Sequence, residues 1–291
     1  MGVVLKYGGT SVETIQKIDQ IAHYISERKK EEENIVVVVS AMGKSTDQLI
    51  QLAKELSDDI PAREIDTLLA TGEQQTIALL TIALRKYQTA GISLTGFQAG
   101  FVTTSSHTKG IIKDINIERV RKHLKEDKIV VVAGFQGMTS EGDITTLGRG
   151  GSDTSAVALA AKLGYACEIY TDVDGIYTVD PRVYKEAKKI NQISYEELME
   201  MAALGAGVVE TRSVELAKKY NVPLYIARSL SKKGQGTYIM NDHYLFEEKP
   251  ITGISITDNV AVVTFEGLHN NINQISEIFN VVSGENINLD M

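Results

Sequence analysis

Three glycine-rich polar segments of this 291-residue chain carry residue types that suit binding and chemistry at phosphate groups. The first, residues 6–12, reads KYGGTSV and stands between a strand-like run and a helical pattern. Its two glycines allow backbone N–H groups to approach a phosphate closely, while a helix N-terminus and Lys6 add positive charge. The segment therefore predicts a phosphate cradle, although a glycine pair after a strand is more often a tight turn.

The second segment, residues 146–155, reads TLGRGGSDTS and leads into a helical pattern. Arg149 stands between its glycines, and a guanidinium group binds carboxylates and phosphates through two parallel hydrogen bonds. An alternative explanation makes Ser152 a helix N-cap and the glycines loop residues, but it gives Arg149 no part. We therefore interpret this segment as an anion-binding loop.

The third segment, residues 171–182, reads TDVDGIYTVDPR and follows a predicted strand. In open α/β sheets, ligands bind at the carboxyl ends of the strands. This segment offers carboxylates, hydroxyls, an aromatic ring and an arginine at that position. Its Asp-Val-Asp-Gly portion is similar to the start of a calcium-binding loop, but the later ligand positions, including the terminal glutamate, are absent. The segment predicts a ligand-binding loop and not a calcium site.

Two further glycine-containing stretches are discarded as nucleotide-binding motifs. Residues 42–46 resemble the end of a P-loop, but the first glycine of that motif falls on Val38, inside a predicted strand. Gly205 and Gly207 resemble part of a dinucleotide fingerprint, yet they follow a helical stretch and the third glycine position is Glu210. We predict a turn between helices there. The five histidines are scattered singly, without ligand or triad spacing.

An alternating series of strands and helices positions these segments. Apolar runs predict buried strands, and apolar residues at helical spacing predict the helices between them. The predicted strands are residues 3–6, 35–40, 129–134, 167–171, 223–228 and 236–240, and the predicted helices are residues 15–30, 46–57, 63–87, 117–125, 153–163 and 208–220, with a capping box at Ser194 and Glu197 starting one more. This alternation predicts an α/β fold, a three-layer sandwich around a mainly parallel sheet.

Composition argues against several classes of function. A formal net charge of −8 disfavours a broad nucleic-acid surface, which needs clustered Lys and Arg. No apolar stretch approaches the roughly 18 residues of a membrane helix, and the N-terminus has no basic leader. The single cysteine, Cys167, excludes an intrachain disulfide, argues against a zinc site and is expected to be buried. We therefore expect a cytoplasmic protein that binds neither nucleic acid nor membrane and holds no metal through its own side chains.

Residues 241–250 are mixed and polar, so we predict a linker there, between a domain of residues 1–240 and a segment of residues 251–291. That segment reads as a strand (260–265), a helix (272–281) and the start of a strand (287–289). About forty residues are few for an independent core. We therefore expect an incomplete βαβ module. Because such a module leaves a sheet edge and an apolar face to cover, we also expect a homo-oligomer of at least two chains.

Four separated motifs together resemble the signature set of the aspartate kinases, a group within the amino-acid kinase family. They are residues 6–12, Thr71-Gly72-Glu73, residues 147–153 and residues 171–182, in the family's order and approximate spacing. The resemblance implies the three-layer fold of that family, and residues 251–291 resemble the start of an ACT module, a small regulatory domain. It also implies ATP-dependent phosphorylation of the aspartate side-chain carboxylate, the first step toward lysine, threonine and methionine.

The resemblance further implies roles for individual residues. Lys6 would stabilise the transferring phosphoryl group, and Asp153 would orient Lys6. ATP, with Mg²⁺ held mainly through its phosphates, would contact Lys6, Gly8, Gly9, Ser11, Thr171, Asp172, Tyr177, Asp180 and Arg182. Aspartate would be held by Arg149 at its α-carboxylate and by Glu73 near its ammonium group, with Thr46, Phe135 and Ser152 closing the pocket. Judged from its neighbours alone, Glu73 would instead be a solvated residue near the start of a helix.

Departures from the family pattern leave alternatives open. Where aspartate kinases usually read Gly-Ala-Lys-Val-Leu-His-Pro-Arg, residues 205–212 of this chain read GAGVVETR. Gly207 therefore replaces a lysine that the family commonly places near the nucleotide. The short tail argues against effector binding here, although the resemblance implies lysine or threonine as the effector of a full-length form. A kinase for acetylglutamate, glutamate, carbamate or a nucleoside monophosphate would share the fold, but Glu73 and Arg149 favour a free amino acid. A silent nucleotide or amino-acid sensor is the other alternative, against which Lys6 and Asp153 argue.

Overall fold

The structure, a computed structural model, describes residues 2–31, 34–203, 208–231, 234–241, 251–255, 263–265 and 272–284. The chain divides between Ile256 and Thr257 into two compact units. The strands in the described residues are β1 (Gly2–Tyr7), β2 (Asn34–Val39), β3 (Gly91–Leu94), β4 (Phe101–Thr103), β5 (Ile112–Ile115), β6 (Ile129–Ala133), β7 (Gln136–Met138), β8 (Ile144–Thr146), β9 (Ala166–Thr171), β10 (Ile176–Tyr177), β11 (Lys189–Ile190), β12 (Gln192–Ser194), β13 (Leu224–Arg228) and β14 (Thr237–Met240). The helices are α1 (Ile15–Arg28), α2 (Ser45–Leu56), α3 (Ala62–Lys86), α4 (Glu118–Lys125), α5 (Gly151–Leu163), α6 (Tyr195–Met201), α7 (Thr211–Tyr220) and α8 (Ile272–Gly284). None of these helices is long and apolar enough to cross a membrane.

Eight strands of the first unit form one sheet in the order β12-β14-β13-β9-β1-β2-β6-β3. Neighbouring strands run parallel, except that β13 and β14 run antiparallel. Helices α1 and α3 pack on one face of this sheet, and α4, α5, α6 and α7 contribute to the core on the other face. The predicted three-layer α/β sandwich around a mainly parallel sheet is therefore confirmed.

Strand β2 shows why the sheet forms the middle layer. Its sequence NIVVVV places β-branched side chains on both faces, and residues 35–39 are all fully buried. Val36 and Val38 join the core that contains α5, whereas Val37 and Val39 join the core that contains α1. A strand covered on both faces has no polar side to offer, which explains its continuous apolar run.

Shorter strands form two further sheets that apolar patterning does not reveal. One sheet has the order β5-β4-β7-β8, and the other pairs β10 with β11 antiparallel. Strands of two to four residues contain too few alternating positions to be recognised from sequence. The four-stranded sheet matters for function because the connection before β7 carries Phe135 and the connection after β8 carries Arg149.

The six predicted strands correspond to β1, β2, β6, β9, β13 and β14, and the predicted helices to α1–α5 and α7, with bounds that differ by a few residues. The capping box is also confirmed, since the Ser194 hydroxyl accepts from the Glu197 N–H and the Glu197 carboxylate accepts from the Ser194 N–H. Cys167 is buried, as predicted.

The second unit is described in part. The helix predicted for residues 272–281 is confirmed as α8. Of the strand predicted for residues 260–265, only residues 263–265 are described, and they have no strand conformation. The strand predicted for residues 287–289, the predicted linker apart from Asn241, and the turn predicted at Gly205 and Gly207 lie outside the described residues.

Candidate functional site

The carboxyl ends of the central parallel strands bring the three glycine-rich polar segments together. Strands β9, β1, β2 and β6 are neighbours in the sheet, so the residues that follow them meet at one edge. Two cavities are lined by these residues. The small cavity has a volume of ≈ 270 Å³ and the large cavity a volume of ≈ 480 Å³.

The site residues expected from the sequence divide between the two cavities. Those lining the small cavity are Lys6, Gly9, Thr46, Glu73, Phe135, Arg149, Ser152 and Asp153. Those lining the large cavity are Thr171, Asp172, Tyr177, Asp180 and Arg182. Gly8 and Ser11 belong to the loop after β1 but lie outside the lining of both cavities. Side chains distant in sequence are thus grouped by the strand order.

Lys6 and Asp153 form an ion pair in the small cavity. Lys6 Nζ lies 2.6 Å from Asp153 Oδ1, and both side chains are largely buried. Strand β1 carries Lys6, and the first turn of α5 carries Asp153, where a negative charge is favoured by the helix dipole. The ammonium group also lies over the following loop, because a Cβ on Gly8 would stand 3.3 Å from Nζ. The pair therefore fixes a full positive charge beside the loop backbone.

The loop after β1 is held against its neighbours. The Gly43 N–H donates to the Gly9 carbonyl at 3.0 Å, and Ser11 Oγ lies 2.5 Å from Ser229 Oγ. A Cβ on Gly9 would lie 2.9 Å from the Ala41 carbonyl oxygen, so glycine is required for this close approach of the loops after β1 and β2. The base of the loop is therefore fixed by contacts within the protein.

Glu73 is a buried carboxylate in the middle of α3. Its Oε1 accepts a hydrogen bond from the Ala41 N–H at 3.0 Å, whereas Oε2 has no partner among the described residues. Burial raises the pKa of Glu73 from 4.5 to about 7. The alternative in which Glu73 is a solvated residue near a helix start is therefore wrong. An unsatisfied buried oxygen at a cavity wall indicates a ligand that can donate a hydrogen bond.

The loop that carries Arg149 is fixed while the arginine itself is exposed. Gly150 has a left-handed backbone with φ +64° and is the N-cap of α5, so the alternative that made Ser152 the cap is wrong. The Arg212 guanidinium donates to the Leu147 carbonyl at 3.0 Å and braces the loop from α7. Among the described residues, no carboxylate lies within ion-pair distance of Arg149. Its charge is therefore available to an anion.

Asp66, a fully buried residue of α3 that sequence reasoning misses, holds the same loop from the other side. The Thr146 hydroxyl donates to Asp66 Oδ1 at 2.5 Å, and the Thr108 N–H donates to Oδ2 at 2.9 Å. His107 Nδ1 lies 2.9 Å from Oδ2 as well. The position of Arg149 is therefore set by buried polar contacts of its own loop.

Phe135 lines the small cavity with a strained backbone. Its φ is +66°, a region that bulky side chains rarely adopt. Two hydrogen bonds keep it there: the Phe135 N–H donates to Ser155 Oγ at 3.1 Å, and its carbonyl accepts from the Leu147 N–H at 2.8 Å. Strain maintained in this way is found where a side chain must be aimed at a site.

The large cavity is bounded by the connection that follows β9. The Tyr177 hydroxyl donates to Asp174 Oδ1 at 3.0 Å, and Arg182 Nη2 lies 2.7 Å from Asp180 Oδ2. The hydrogen bond from Arg182 lowers the pKa of Asp180, whereas burial and the Asp174 carboxylate raise the pKa of Tyr177. Aromatic, apolar and charged groups together suit a ligand with a ring system and a charged chain.

Sequence reasoning also misses parts of the large-cavity wall. Arg228 lines it from the end of β13, and Ile254 and Ser255 line it from the segment of residues 251–255. The Ile254 N–H donates to the Thr178 carbonyl at 2.7 Å, which joins that segment to the connection between β10 and β11. Only the pairing of β13 with β9 could have signalled Arg228, and that pairing is not visible in a single sequence.

Comparison with known proteins extends over all of these segments. The profile of the amino acid kinase family matches residues 1–228. Aspartokinase 2 of Bacillus subtilis (strain 168) is 48% identical over 290 residues, which are 99% of this chain and 71% of the relative. An aspartokinase of Geobacillus stearothermophilus is 46% identical over 293 residues, covering 100% of this chain and 72% of the relative. A crystal structure of aspartate kinase from Synechocystis superposes with a TM-score of 0.73 at 45% identity, over 87% of this chain and 41% of that chain.

Proposed function

The chain belongs to the amino acid kinase family, and from that premise we propose that it is an aspartate kinase, which transfers the γ-phosphoryl group of ATP to the side-chain carboxylate of aspartate. Relatives named aspartokinase are 46% and 48% identical to it over nearly its whole length. The observation that carries the proposal is the charge content of the small cavity. It combines the Lys6–Asp153 ion pair with two groups that lack a partner among the residues that the structure describes, the guanidinium of Arg149 and one oxygen of the buried Glu73 carboxylate.

The groups of aspartate match these charges. Arg149 binds the α-carboxylate as a two-pronged donor, and the unsatisfied oxygen of Glu73 accepts from the ammonium group. Thr46, Phe135 and Ser152 close the pocket around the substrate. An acceptor whose amino group is acetylated would leave the Glu73 charge buried without a cation, which is unfavourable. The cavity therefore favours a free amino acid over acetylglutamate.

The transfer needs no general base. The acceptor carboxylate has a reference pKa of about 4 and is ionised at neutral pH. One of its oxygens forms a bond to the γ-phosphorus while the bond from that phosphorus to the β,γ-bridging oxygen breaks, and ADP leaves with the electron pair. Because two anions must meet, catalysis rests on positioning and neutralisation of charge. Lys6 stabilises the transferring group, and Asp153 orients Lys6.

ATP occupies the edge of the sheet that joins both cavities. Its phosphates lie at the loop after β1, which contains Gly8, Gly9 and Ser11. Its nucleoside portion lies in the large cavity against Thr171, Asp172, Tyr177, Asp180 and Arg182. The described residues contain no group of three His, Cys, Asp or Glu side chains able to hold a metal ion. We propose that Mg²⁺, which screens the phosphate charge, is held mainly by phosphate oxygens, because this ion binds through substrate phosphates and water with at most one or two protein carboxylates.

We also propose that the chain assembles at least as a dimer, and that a longer form of the protein responds to an amino-acid effector, lysine or threonine. Large apolar side chains of α8 support the first point, since Ile272 and Val281 are 82% and 69% exposed. The relatives' greater length is compatible with a further effector-binding part. Analytical ultracentrifugation at micromolar concentration tests the assembly, and a monomer there would refute it.

The experiment that tests the activity is ATP-dependent formation of an acyl phosphate, trapped with hydroxylamine. The purified protein is offered aspartate, glutamate, acetylglutamate and carbamate in parallel. The variant Lys6→Ala is compared with Lys54→Ala, which removes an exposed lysine of α2. We expect turnover of aspartate alone, lost in Lys6→Ala and retained in Lys54→Ala.

Other outcomes of the same experiment have distinct meanings. Turnover of a different acceptor would keep the fold and overturn the substrate. A folded protein that binds ATP but turns over none of the four acceptors would instead support the sensor function.

A further inference from the structure

Arg228 stands at the end of β13, beside the strand that leads into the large cavity. Its backbone pairs in register with Thr171 of the parallel strand β9, and its side chain is exposed at the cavity wall. Arg228 and Tyr177 line the same cavity, and the positive charge of Arg228 opposes the rise in the pKa of Tyr177 that burial causes. Arg228 therefore shares the wall of the large cavity with Tyr177, at the end of a strand next to β9.

Arg228 differs from Lys6 and Arg182 in its ion pairing within the described residues. Lys6 is engaged by Asp153 at 2.6 Å, and Arg182 is engaged by Asp180 at 2.7 Å. Within the part of the chain that the structure describes, Arg228 has no carboxylate at ion-pair distance. An arginine that lines a cavity without a counter-ion has its hydrogen-bond donors available to an anionic ligand.

The residue after Arg228 joins it to the loop after β1. Ser229 Oγ lies 2.5 Å from Ser11 Oγ, and the Ser229 N–H donates to the Thr171 carbonyl at 2.9 Å. Leu230 then adopts φ +66°, so the chain turns sharply away from the sheet. The backbone next to Arg228 is thus held between the predicted phosphate cradle and β9, and the Arg228 side chain lines the large cavity.

We propose that Arg228 is a nucleotide-binding residue that contacts the α- and β-phosphates of the bound nucleoside triphosphate. The proposal rests on the nucleotide site of the proposed function and extends it with a residue from β13. Arg228 supplies a diphosphate-binding charge from the end of β13, next to the loop of residues 8–11 that Ser229 contacts. Its contact is present in both ATP and ADP, so it contributes to nucleotide affinity and not to the transfer step.

The test compares Arg228→Gln, Arg228→Lys and the control Arg121→Gln, which removes an exposed arginine of α4. Isothermal titration measures the Kd of ATP, ADP and adenosine for each form, and steady-state assays measure kcat and the KM for ATP. We expect Arg228→Gln to weaken ATP and ADP binding about tenfold, with adenosine binding and kcat changed less than about twofold. Arg228→Lys should recover part of the loss, and Arg121→Gln should match the wild type.

Three outcomes overturn the proposal. They are an unchanged ATP affinity in Arg228→Gln, an equal loss of adenosine affinity, and a wild-type protein that binds no nucleotide. The first of these, found together with normal aspartate turnover in the wild type, removes the proposal and leaves the aspartate kinase function intact. Failure of the aspartate kinase proposal alone would look different. ATP binding that depends on Arg228, in a protein that does not turn over aspartate, would support the phosphate contact and reject aspartate as the substrate.

Discussion

The small cavity and the large cavity hold their charged groups in different ways. In the small cavity, Lys6 and Glu73 are 8% and 3% exposed and extend from β1 and α3, which belong to the packed core. In the large cavity, the Arg182 side chain is 90% exposed and lies with Asp180 on the connection between β10 and β11. One cavity is therefore built by regular elements, and the other is built largely by a loop.

This difference corresponds to two tasks of a kinase. Phosphoryl transfer needs charges held in fixed positions, and buried charges act strongly because the local dielectric constant is low. Nucleotide binding at a more open surface needs affinity, which several exposed contacts can share. We therefore expect substitutions in the small cavity to lower kcat or aspartate affinity, and substitutions in the large cavity to change ATP affinity alone.

The largest expected effect distinguishes substitutions at two Asp residues of the protein, Asp153 in the small cavity and Asp180 in the large cavity. Asp153→Asn should lower kcat about a hundred- to thousandfold, because Lys6 loses the carboxylate that orients it. Asp180→Asn makes the same chemical change in the large cavity and should alter kcat less than about threefold while raising the KM for ATP. Steady-state kinetics measure both effects, with circular dichroism to check folding. An equal loss of kcat in the two variants would contradict the division of tasks.

The next effect arises from Glu73, whose pKa of about 7 makes the small cavity sensitive to pH near neutrality. Only the ionised carboxylate binds the ammonium group of aspartate well, so the KM for aspartate should fall about tenfold from about pH 6 to about pH 8. The other charged groups lining this cavity are Lys6, Arg149 and Asp153. The KM for ATP should stay constant over the same range, and Glu73→Gln should abolish the slope. A flat aspartate profile in the wild type would show that Glu73 does not contact the substrate.

Stability provides an independent check on the same carboxyl group. The folded-state pKa of Glu73 lies above the unfolded reference of 4.5, so the folded state holds the proton more tightly and loses stability as pH rises toward 7. Above that pH, Glu73→Gln should exceed the wild type by roughly 3 kcal/mol in free energy of unfolding, because glutamine has no proton to release. Urea unfolding of both forms at about pH 5 and about pH 8 tests this sign, and the difference should be under about 1 kcal/mol at the lower pH and roughly 3 kcal/mol at the higher pH.

Much of this architecture follows from local sequence patterns. The valine-rich run of β2 predicts a strand because a sheet covered on both faces needs apolar side chains at every position. The glycines beside Lys6 and Arg149 mark the loops at the strand ends because close backbone approach excludes larger residues. Segments of this kind can be recognised one at a time, and the strand order then brings them together.

Other features depend on contacts between distant parts of the chain. The burial of Glu73 arises where α3 packs beneath the loop after β2, so its neighbours in sequence indicate only a helix. Asp66 carries no local signal either, because its partners lie far along the chain, Thr108 in the connection between β4 and β5 and Thr146 at the end of β8. Arg228 reaches the large cavity through the pairing of β13 with β9. Such residues become visible as candidates only when the pairing of the strands is known.

The smallest expected effect concerns residues 251–255, which support the large cavity from outside the stretch that matches the family profile. The Ile254 N–H donates to the Thr178 carbonyl at 2.7 Å, and this bond holds the loop between β10 and β11. Ile254→Pro removes the donor and should raise the KM for ATP about fivefold, since a single backbone hydrogen bond contributes on the order of 1 kcal/mol. Ile254→Ala keeps the N–H and removes most of the side chain, so the difference between the two variants isolates the hydrogen bond. The KM for aspartate should be the same in both, because the small cavity is built on the core and does not depend on this loop.

If both variants raise the KM for ATP equally, residues 251–255 act only as an apolar wall. If the KM for aspartate rises as well, the two cavities are coupled through the loop between β10 and β11, and the contrast between a rigid transfer site and an adaptable nucleotide site would have to be abandoned.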